Sequence, residues 1–373
     1  TIINTGIGWH EARIPTIATK VPRAAFTWVT HTIRKHLTVP VITSNRINTP
    51  EVAESVLANG DADLISMARP FLADPEFVNK AAAGTPERIN TCIGCNQACL
   101  DHVFSGKPSS CLVNPRACEE TKIIIEPTTA KKTIAIIGAG PAGLACAVTA
   151  AERGHNVTLY DAGNEIGGQF NIAKRIPGKE EFFETLRYFA VRLKELKVTV
   201  KLNTTLTTQQ LNALQVDELV LATGISPRDL ELPGHDHAKV INYLDVIKGA
   251  KVGQKVAIIG AGGIGFDVAE FLTHGERQPS KNIEQFMSQW GIDMTMQARG
   301  GVAQMTPNLE ASPREVHLLQ RKTTKVGAGL GKTTGWIHRA GLQQKQVKMI
   351  AGCEYQAIDD KGLHLTIGGE VKV

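Results

Sequence analysis

The spacing of apolar positions in the first third of the chain predicts short buried strands that alternate with amphipathic helices. The strand-like runs are Thr1–Asn4, Val39–Thr43 and Leu64–Met67, and the helical stretches lie around Arg23–His36 and Pro50–Asn59. Such alternation is typical of parallel strands joined by crossover helices. The pattern predicts an α/β region that continues to about Glu126.

Two later strands, Thr133–Ile137 and Lys255–Gly260, each end at a glycine turn, in K-T-I-A-I-I-G-A-G and Q-K-V-A-I-I-G-A-G. The first turn continues into the helix Leu144–Arg153 and supplies four candidate dinucleotide contacts, Gly138, Gly140, Ala142 and Gly143. In this motif the glycines permit the turn, the approach of a pyrophosphate and helix–strand packing. The next strand, Asn156–Tyr160, ends in Asp161, where a carboxylate accepts a hydrogen bond from a ribose hydroxyl.

The second fingerprint consists of Gly260, Gly262 and Gly265, and its partner strand begins at Glu315 after a long insertion. Aligning V-T-L-Y-D with V-H-L-L-Q places Gln320 where the first unit has an aspartate, and Arg321 and Lys322 follow. Losing the acid removes repulsion against a 2′-phosphate, and two cations attract it. We therefore expect NADP(H) here and a non-phosphorylated dinucleotide at the first site, although Arg321 and Lys322 could also be an exposed pair at a strand end.

Four cysteines, Cys92, Cys95, Cys99 and Cys111, form the pattern C-I-G-C-N-Q-A-C followed by a more distant cysteine. A compact run of thiolates with one distant partner is typical of an iron–sulfur cluster. A zinc site is the nearest alternative, but zinc ribbons prefer two close-spaced pairs. A disulfide framework fits a long chain without a secretion signal less well.

Composition narrows the class of protein. The 373 residues are 42% hydrophobic and 21% charged with a net charge of +5, which is ordinary for a globular protein of two or three domains. No basic block interleaves with aromatics, so no nucleic-acid partner is expected. No apolar run approaches the roughly eighteen residues of a membrane-spanning helix, and we expect a cytoplasmic protein.

Residues 326–333 resemble a phosphate-binding P-loop, but Val326 replaces its first glycine, so ATP hydrolysis is not predicted.

The tandem fingerprints, with Leu219–Gly224 ahead of Pro227-Arg228, resemble the flavoproteins with two dinucleotide-binding domains, in which FAD occupies the first and NAD(P)H the second. The segment Glu165–Phe170 resembles the loop that lies along the FAD in these enzymes, which implies an FAD contact from Gln169; Lys179 is a weaker candidate. The segment Asp61–Pro75 resembles the end of the FMN-binding (β/α)8 barrel of the old-yellow-enzyme class. It implies FMN contacts from Arg46, Ala68 and Arg69, at strand ends where such barrels hold phosphate; for both arginines the alternative is a surface salt bridge.

The chain resembles the bacterial 2,4-dienoyl-CoA reductase family in the order of its segments: a barrel end, a cysteine segment and tandem nucleotide-binding domains. The resemblance is strongest at Gly6–Arg13 and Leu330–Arg339. The resemblance implies that His10, Glu11, Ala12 and Arg13 contribute to the substrate site and that His10 assists a tyrosine proton donor. A structural histidine and a structural ion pair of Arg13 are the alternatives. It also implies that electrons pass from NADPH to FAD, a [4Fe-4S] cluster, FMN and a dienoyl-CoA thioester of unsaturated fatty acid β-oxidation.

The chain has no counterpart of the first barrel strands or of the segment that completes the FAD domain, so we expect an internal fragment that is inactive alone. The predicted fold class is α/β, with four segments: 1–85, the C-terminal part of the barrel; 86–126, the cysteine segment; 127–235, an incomplete FAD-binding domain; and 236–373, a truncated NADP(H)-binding domain.

Three alternative functions remain: an amine dehydrogenase of the trimethylamine dehydrogenase type, another FMN/Fe–S enoate reductase and a non-catalytic electron-transfer module. The oligomeric state is open, a monomer included.

Overall fold

The computed structural model describes residues 1–7 and 12–373. The chain forms two compact units, each built from separate stretches. Unit 1 comprises Thr1–Thr5, Thr27–Lys174 and Glu181–Ser226, and unit 2 comprises Gly6–Phe26, Arg175–Glu180 and Pro227–Val373. These units are defined by compactness, so the predicted division at 85/86, 126/127 and 235/236 stays a prediction.

Unit 1 opens with a small parallel sheet in the order β1-β2-β3. Its elements are β1 (Ile3–Asn4), α1 (Thr27–Arg34), β2 (Val41–Thr43), α2 (Pro50–Ala58), β3 (Leu64–Ile65), α3 (Arg69–Ala73), α4 (Phe77–Ala82), a 3₁₀ turn (Pro86–Arg88) and α5 (Leu100–Val103). Helix α2 has a favourable N-terminal cap, because the Thr49 hydroxyl accepts a hydrogen bond from the Val52 amide and a proline occupies the first turn. The predicted α/β alternation is present.

All three predicted strands of this region and its first helix are shorter than expected, and two of these differences have a local reason. The first helix starts at Thr27 rather than near Arg23, because Ala24 has a φ of 56°, which a right-handed helix does not contain. Strand β2 starts after Pro40, whose nitrogen has no hydrogen to donate to a neighbouring strand. The carbonyl of Pro40 still accepts from the Ile3 amide at 3.0 Å, so β1 and β2 remain aligned.

The rest of unit 1 is a four-stranded parallel sheet in the order β6-β5-β4-β7, the arrangement of a dinucleotide-binding fold. Its elements are β4 (Thr133–Ile137), α6 (Pro141–Glu152), β5 (Asn156–Tyr160), α7 (Phe170–Ala173), α8 (Phe182–Glu195), β6 (Thr199–Lys201), α9 (Thr208–Asn212) and β7 (Glu218–Leu221). Strand and helix side chains such as Ile136, Leu144 and Leu159 form its dry core. The branched residues predicted as central strands therefore lie where burial on both faces favours them.

Unit 2 repeats the nucleotide-binding pattern with a parallel sheet in the order β10-β9-β8, and adds an antiparallel sheet in the order β11-β12-β13. Its elements are α10 (Tyr243–Lys248), β8 (Lys255–Ile259), α11 (Gly263–Thr273), α12 (Ile283–Gln289), a 3₁₀ turn (Arg299–Gly301), β9 (Glu315–Leu319), α13 (Gly335–Gln344), β10 (Lys348–Ile350), β11 (Cys353–Ile358), β12 (Leu363–Ile367) and β13 (Glu370–Lys372). None of the helices in the described ranges could cross a membrane.

Two stretches that are distant in sequence from the rest of unit 2, Gly6–Phe26 and Arg175–Glu180, form ion pairs with helix α11. Lys20 pairs with Glu270 at 2.5 Å, and Lys179 pairs with Asp267 at 2.5 Å. Glu270 and Asp267 lie three positions apart on α11, so both side chains project from neighbouring points on its surface. The sequence pattern did not predict either attachment.

Unit 1 contains a deeply buried ion pair between Arg46 and Glu181, at 2.7 Å, with side chains only 2% and 8% exposed. Removing one partner of such a pair leaves the other charge buried without compensation. We therefore predict that Glu181→Gln lowers the free energy of unfolding by about 3 kcal/mol. Urea denaturation followed by circular dichroism measures this loss.

The matched control is the surface pair between Lys132 and Glu218, whose side chains are 48% and 52% exposed. Glu218→Gln should change the unfolding free energy by less than about 0.5 kcal/mol, because solvent already screens that pair. Equal effects of the two substitutions would contradict the burial of the Arg46–Glu181 pair.

Candidate redox centre and nucleotide sites

The four predicted cysteines line one pocket in unit 1, of about 310 Å³, part of which is open to solvent. Cys99 caps the short helix α5, and the Ser110 amide donates to the Ala98 carbonyl at 2.7 Å, which returns the chain so that Cys111 lies beside the compact run. The remaining lining residues are Arg69, Leu72, Ile93, Asn96, Ala98, Leu112 and Val113. Residues 19 positions apart in sequence are therefore brought to one small volume.

Burial raises the pKa of three of these thiols. It raises the pKa of Cys95 to about 12 and that of Cys111 to about 11, and it also raises the pKa of Cys99. Mutual repulsion among the thiolates adds to the rise, whereas the Arg69 guanidinium opposes it at Cys99. In the described residues no three or more His, Cys, Asp or Glu side chains converge on a single metal-ion position. The thiols thus need a bound cationic group to become thiolates together, as metal ligation requires.

Asparagine side chains that sequence reasoning missed hydrogen-bond to the backbone around this pocket. The Asn48 side chain donates to the Cys92 carbonyl at 2.8 Å, Asn90 donates to the Val113 carbonyl at 2.8 Å, and Asn114 donates to the Leu72 carbonyl at 2.9 Å. Arg69 donates to the side-chain oxygen of Asn96, a residue with a positive φ of 62°. Asparagines next to the cysteine run were the available signal, because buried amides commonly fix irregular backbone.

The first fingerprint has the packing that its glycines require. A Cβ on Gly143 would lie 1.8 Å from the Gly138 carbonyl oxygen, and one on Gly138, where φ is 108°, would lie 2.2 Å from the Ala222 oxygen. A Cβ on Gly140 would meet nothing within 4 Å, and Ala142 is exposed beside it at the start of α6. The open side thus lies at the N-terminal end of a 12-residue helix, where a phosphate is favoured.

Asp161 lies at the end of β5, and its carboxylate shapes the same loop. One oxygen accepts from the Ala139 amide at 2.6 Å and the other accepts from the Gly163 amide at 2.7 Å. An ionised carboxylate offers about four acceptor positions, so two remain for ribose hydroxyls. The residues present therefore fit a non-phosphorylated dinucleotide.

The second fingerprint repeats the close contact between the first and third glycines. A Cβ on Gly265 would lie 1.9 Å from the Gly260 oxygen, while Gly262 faces open space. Ile259 pairs with Leu319 as Ile137 pairs with Tyr160, so the strand register places Gln320 at the position of Asp161. This agrees with the predicted alignment.

The side chain of Gln320 donates to the Lys322 carbonyl at 3.0 Å and to the Thr324 carbonyl at 2.6 Å. The turn that these bonds stabilise presents Arg321 and Lys322 to solvent. Neither cation has a carboxylate within ion-pair distance among the residues that the structure describes. The turn is thus suited to a 2′-phosphate.

The other predicted site residues are dispersed. Ala68 caps α3 and Arg69 begins it, whereas Arg46 is buried against Glu181 rather than on the surface. Gln169 donates to the Ile225 carbonyl at 3.0 Å, and Lys179 pairs with Asp267 in unit 2. Their proposed flavin contacts stay predictions.

The predicted substrate segment is described only in part. His10 and Glu11 lie outside the described residues. Ala12 is half-buried and Arg13 is exposed. Their proposed substrate contacts also stay predictions.

Two families account for most of the chain. Residues 132–373 match the pyridine nucleotide-disulphide oxidoreductase family, and residues 1–88 match the NADH:flavin oxidoreductase / NADH oxidase family. The first match spans more than half of the chain, so the protein belongs to the pyridine nucleotide-disulphide oxidoreductase family. Both matches are to oxidoreductase families, one described by pyridine nucleotides and the other by flavin.

Individual relatives narrow this class. The chain is 35% identical to the metal reductase of Desulforamulus reducens over 376 residues, covering 100% of this chain and 55% of that protein. It is 34% identical to the cinnamate reductase of Clostridium sporogenes over 242 residues, covering 64% and 36%. The solved structure of 2-naphthoyl-CoA reductase with 2-naphthoyl-CoA matches with a TM-score of 0.85 and 29% identity, over 100% of this chain and 51% of that one.

The chain spans about half the length of the curated relatives that it matches along most of its own length. Amine-oxidising proteins also occur among the relatives, including the dimethylamine dehydrogenase of Hyphomicrobium at 31% identity over 255 residues, 62% of this chain and 34% of that protein. The relatives of this chain thus include both reductases and dehydrogenases.

We predict that Gly143→Ala destabilises the flavin-free protein by about 1–3 kcal/mol, because the new methyl group collides with the Gly138 carbonyl. Thermal unfolding without flavin separates this packing effect from ligand binding. Gly140→Ala is the matched control: with φ at −74° and open space at its Cβ, it should leave the melting temperature unchanged or slightly raised. A similar loss in both variants would contradict the helix–turn contact.

Proposed function

We propose that the protein reduces 2,4-dienoyl-CoA thioesters with NADPH, in the β-oxidation of unsaturated fatty acids. The observation that carries the proposal is the four-cysteine pocket, which lies in the same compact unit as residues 27–85 of the flavin-barrel segment and the first fingerprint. The match to 2-naphthoyl-CoA reductase over the full chain supports a conjugated CoA thioester as substrate. The absence of a carboxylate at position 320 supports NADPH as donor.

Each cofactor has candidate ligands in this chain. Arg46, Ala68 and Arg69 would hold FMN, and the four cysteines would hold a [4Fe-4S] cluster. The FAD contacts would be Gly138, Gly140, Ala142, Gly143, Asp161, Gln169 and Lys179, and the NADP(H) contacts Gly260, Gly262, Gly265, Arg321 and Lys322. When bound, these groups supply hydride and single-electron transfer, so that a two-electron donor can serve a separate substrate site.

The chain's own residues bind and neutralise these groups. The N-terminal ends of α6 and α11 offer amide donors to pyrophosphate, and Arg321 and Lys322 select the phosphorylated nucleotide. Arg69 offsets thiolate charge at Cys99. Ligands of a cluster bind different irons and need not converge on one point, which suits a pocket with four separated thiols better than a single zinc ion. The segment His10–Arg13 would contact the thioester substrate.

The main alternative is an amine dehydrogenase, in which electrons enter from the substrate. Its support is the likeness to dimethylamine dehydrogenase. A second nucleotide fingerprint with Arg321 and Lys322 beside it counts against it, because an enzyme of that type needs no pyridine nucleotide donor. Another FMN/Fe–S enoate reductase would differ only in its substrate, and a module that only transfers electrons would turn over none.

The donor and the substrate are tested together on the purified holoenzyme under anaerobic conditions. NADPH should bleach the flavin absorbance much faster than NADH, and a 2,4-dienoyl-CoA should then restore it. Arg321→Gln/Lys322→Gln should weaken NADPH binding about 10–100-fold, because charge-assisted hydrogen bonds to the 2′-phosphate are lost, and leave NADH unaffected.

The control Lys348→Gln changes an exposed lysine paired with Glu315 and should leave the nucleotide preference unchanged. Selective reduction by NADH would contradict the assignment of the second site. Reduction of the oxidised flavin by a secondary amine, with no reoxidation by any dienoyl thioester, would favour the dehydrogenase.

The cluster is tested by replacing one thiol. Cys95→Ser should lower the iron content of anaerobically purified protein and abolish the cluster's electron paramagnetic resonance signal on reduction. Cys118→Ser is the control: Cys118 is exposed and does not line the pocket, so iron should be retained. Stoichiometric zinc without iron in the wild-type protein would contradict the proposed cluster.

A further inference from the structure

A continuous chain of buried polar contacts leads from Arg46 to the first cysteine of the pocket. The Arg46 guanidinium donates to one oxygen of Glu181 at 2.7 Å. The Asn48 amide donates to the other oxygen of Glu181 at 3.1 Å and to the Cys92 carbonyl at 2.8 Å. All four residues are buried and belong to unit 1, although Glu181 lies 89 positions after Cys92 in sequence.

This arrangement needs a reason other than stability. A buried ion pair is often no more stabilising than apolar side chains of similar volume. Asn48 is 1% exposed, and its carbonyl oxygen has no hydrogen-bond partner among the described residues, which adds to the cost of burying it. A polar network with these features is expected where it orients or tunes a neighbouring functional group.

We propose that Asn48 and Glu181 are positioning residues for the redox groups of unit 1. Asn48 fixes the backbone of Cys92, and Glu181 fixes Arg46 and sets the charge between the predicted flavin phosphate contact and the cysteine pocket. The inference rests on the proposed cluster and flavin sites and assigns residues that those proposals leave out.

The charge effect has a definite sign. Glu181→Gln removes a buried negative charge beside the Arg46 cation and so makes the surroundings more positive. Reduction adds an electron to the cluster, so a more positive surrounding favours the reduced form. The cluster's midpoint potential therefore rises in this variant. Asn48→Leu keeps a similar shape but removes both donors, so Cys92 is held less firmly and iron is lost more readily.

The experiment compares holoenzyme variants by redox titration, with the cluster signal followed by electron paramagnetic resonance, and by the rate of iron release to a chelator. Glu181→Gln should show a raised midpoint potential. Asn48→Leu should weaken iron retention about 10–100-fold, the usual effect of removing an outer hydrogen bond at a metal site.

Two controls separate positioning from simple destabilisation. Thr30→Val removes a buried hydroxyl that bonds Thr43 at 2.9 Å in the same unit, and Glu218→Gln removes an exposed carboxylate. Both should leave the potential and iron release unchanged, even if Thr30→Val lowers the melting temperature as much as Asn48→Leu does.

The outcomes are distinguishable. A wild-type protein that holds a cluster, with Asn48→Leu and Glu181→Gln matching Thr30→Val in potential and iron release, would overturn the positioning role alone. A wild-type protein that binds no iron would overturn the cluster proposal and this inference together. Should Glu181→Gln fail to fold, Asn48→Leu still decides the question through iron release.

Discussion

The structure depends on enclosing four cysteine side chains in one small volume, where their ionised forms would repel one another. Burial raises the pKa of Cys95, Cys99 and Cys111, so these sulfurs prefer to remain protonated, and neighbouring sulfurs reinforce that preference. The backbone around them is irregular and cannot satisfy itself with sheet or helix bonds. Side-chain amides from Asn48, Asn90 and Asn114 supply the missing donors, and this is what allows the loop to keep a fixed shape.

The two nucleotide-binding folds combine one glycine contact with different residues at the turn after the second strand. In both, the carbonyl of the first glycine lies so close to the third glycine that no side chain fits there, and both leave the second glycine open. The strand registers are equivalent, and the residue that follows the second strand changes from Asp161 to Gln320. The proposed difference in nucleotide selectivity would therefore lie in a turn, while the contact between the first and third glycines is the same in both folds.

Local features of this molecule could be read from the sequence, whereas contacts between distant residues could not. The strands Thr133–Ile137 and Asn156–Tyr160 and the glycine turns follow from short-range patterns, because burial and backbone geometry act over a few residues. The cysteine spacing also indicated that the four thiols share one site, and the pocket agrees. The Arg46–Glu181 pair joins residues 135 positions apart, and no periodicity encodes such a partner. The attachment of Lys20 and Lys179 to α11 was missed for the same reason.

The two bonds made by Gln320 have a consequence for anyone who would re-engineer coenzyme choice. Installing an acid at this position would repel a phosphate, but it would also delete the donors that hold the carbonyls of Lys322 and Thr324. The turn would then loosen at the same moment as its charge preference changed. Exchange of nicotinamide coenzymes in this scaffold should consequently require redesign of the whole 320–324 turn, rather than one substitution.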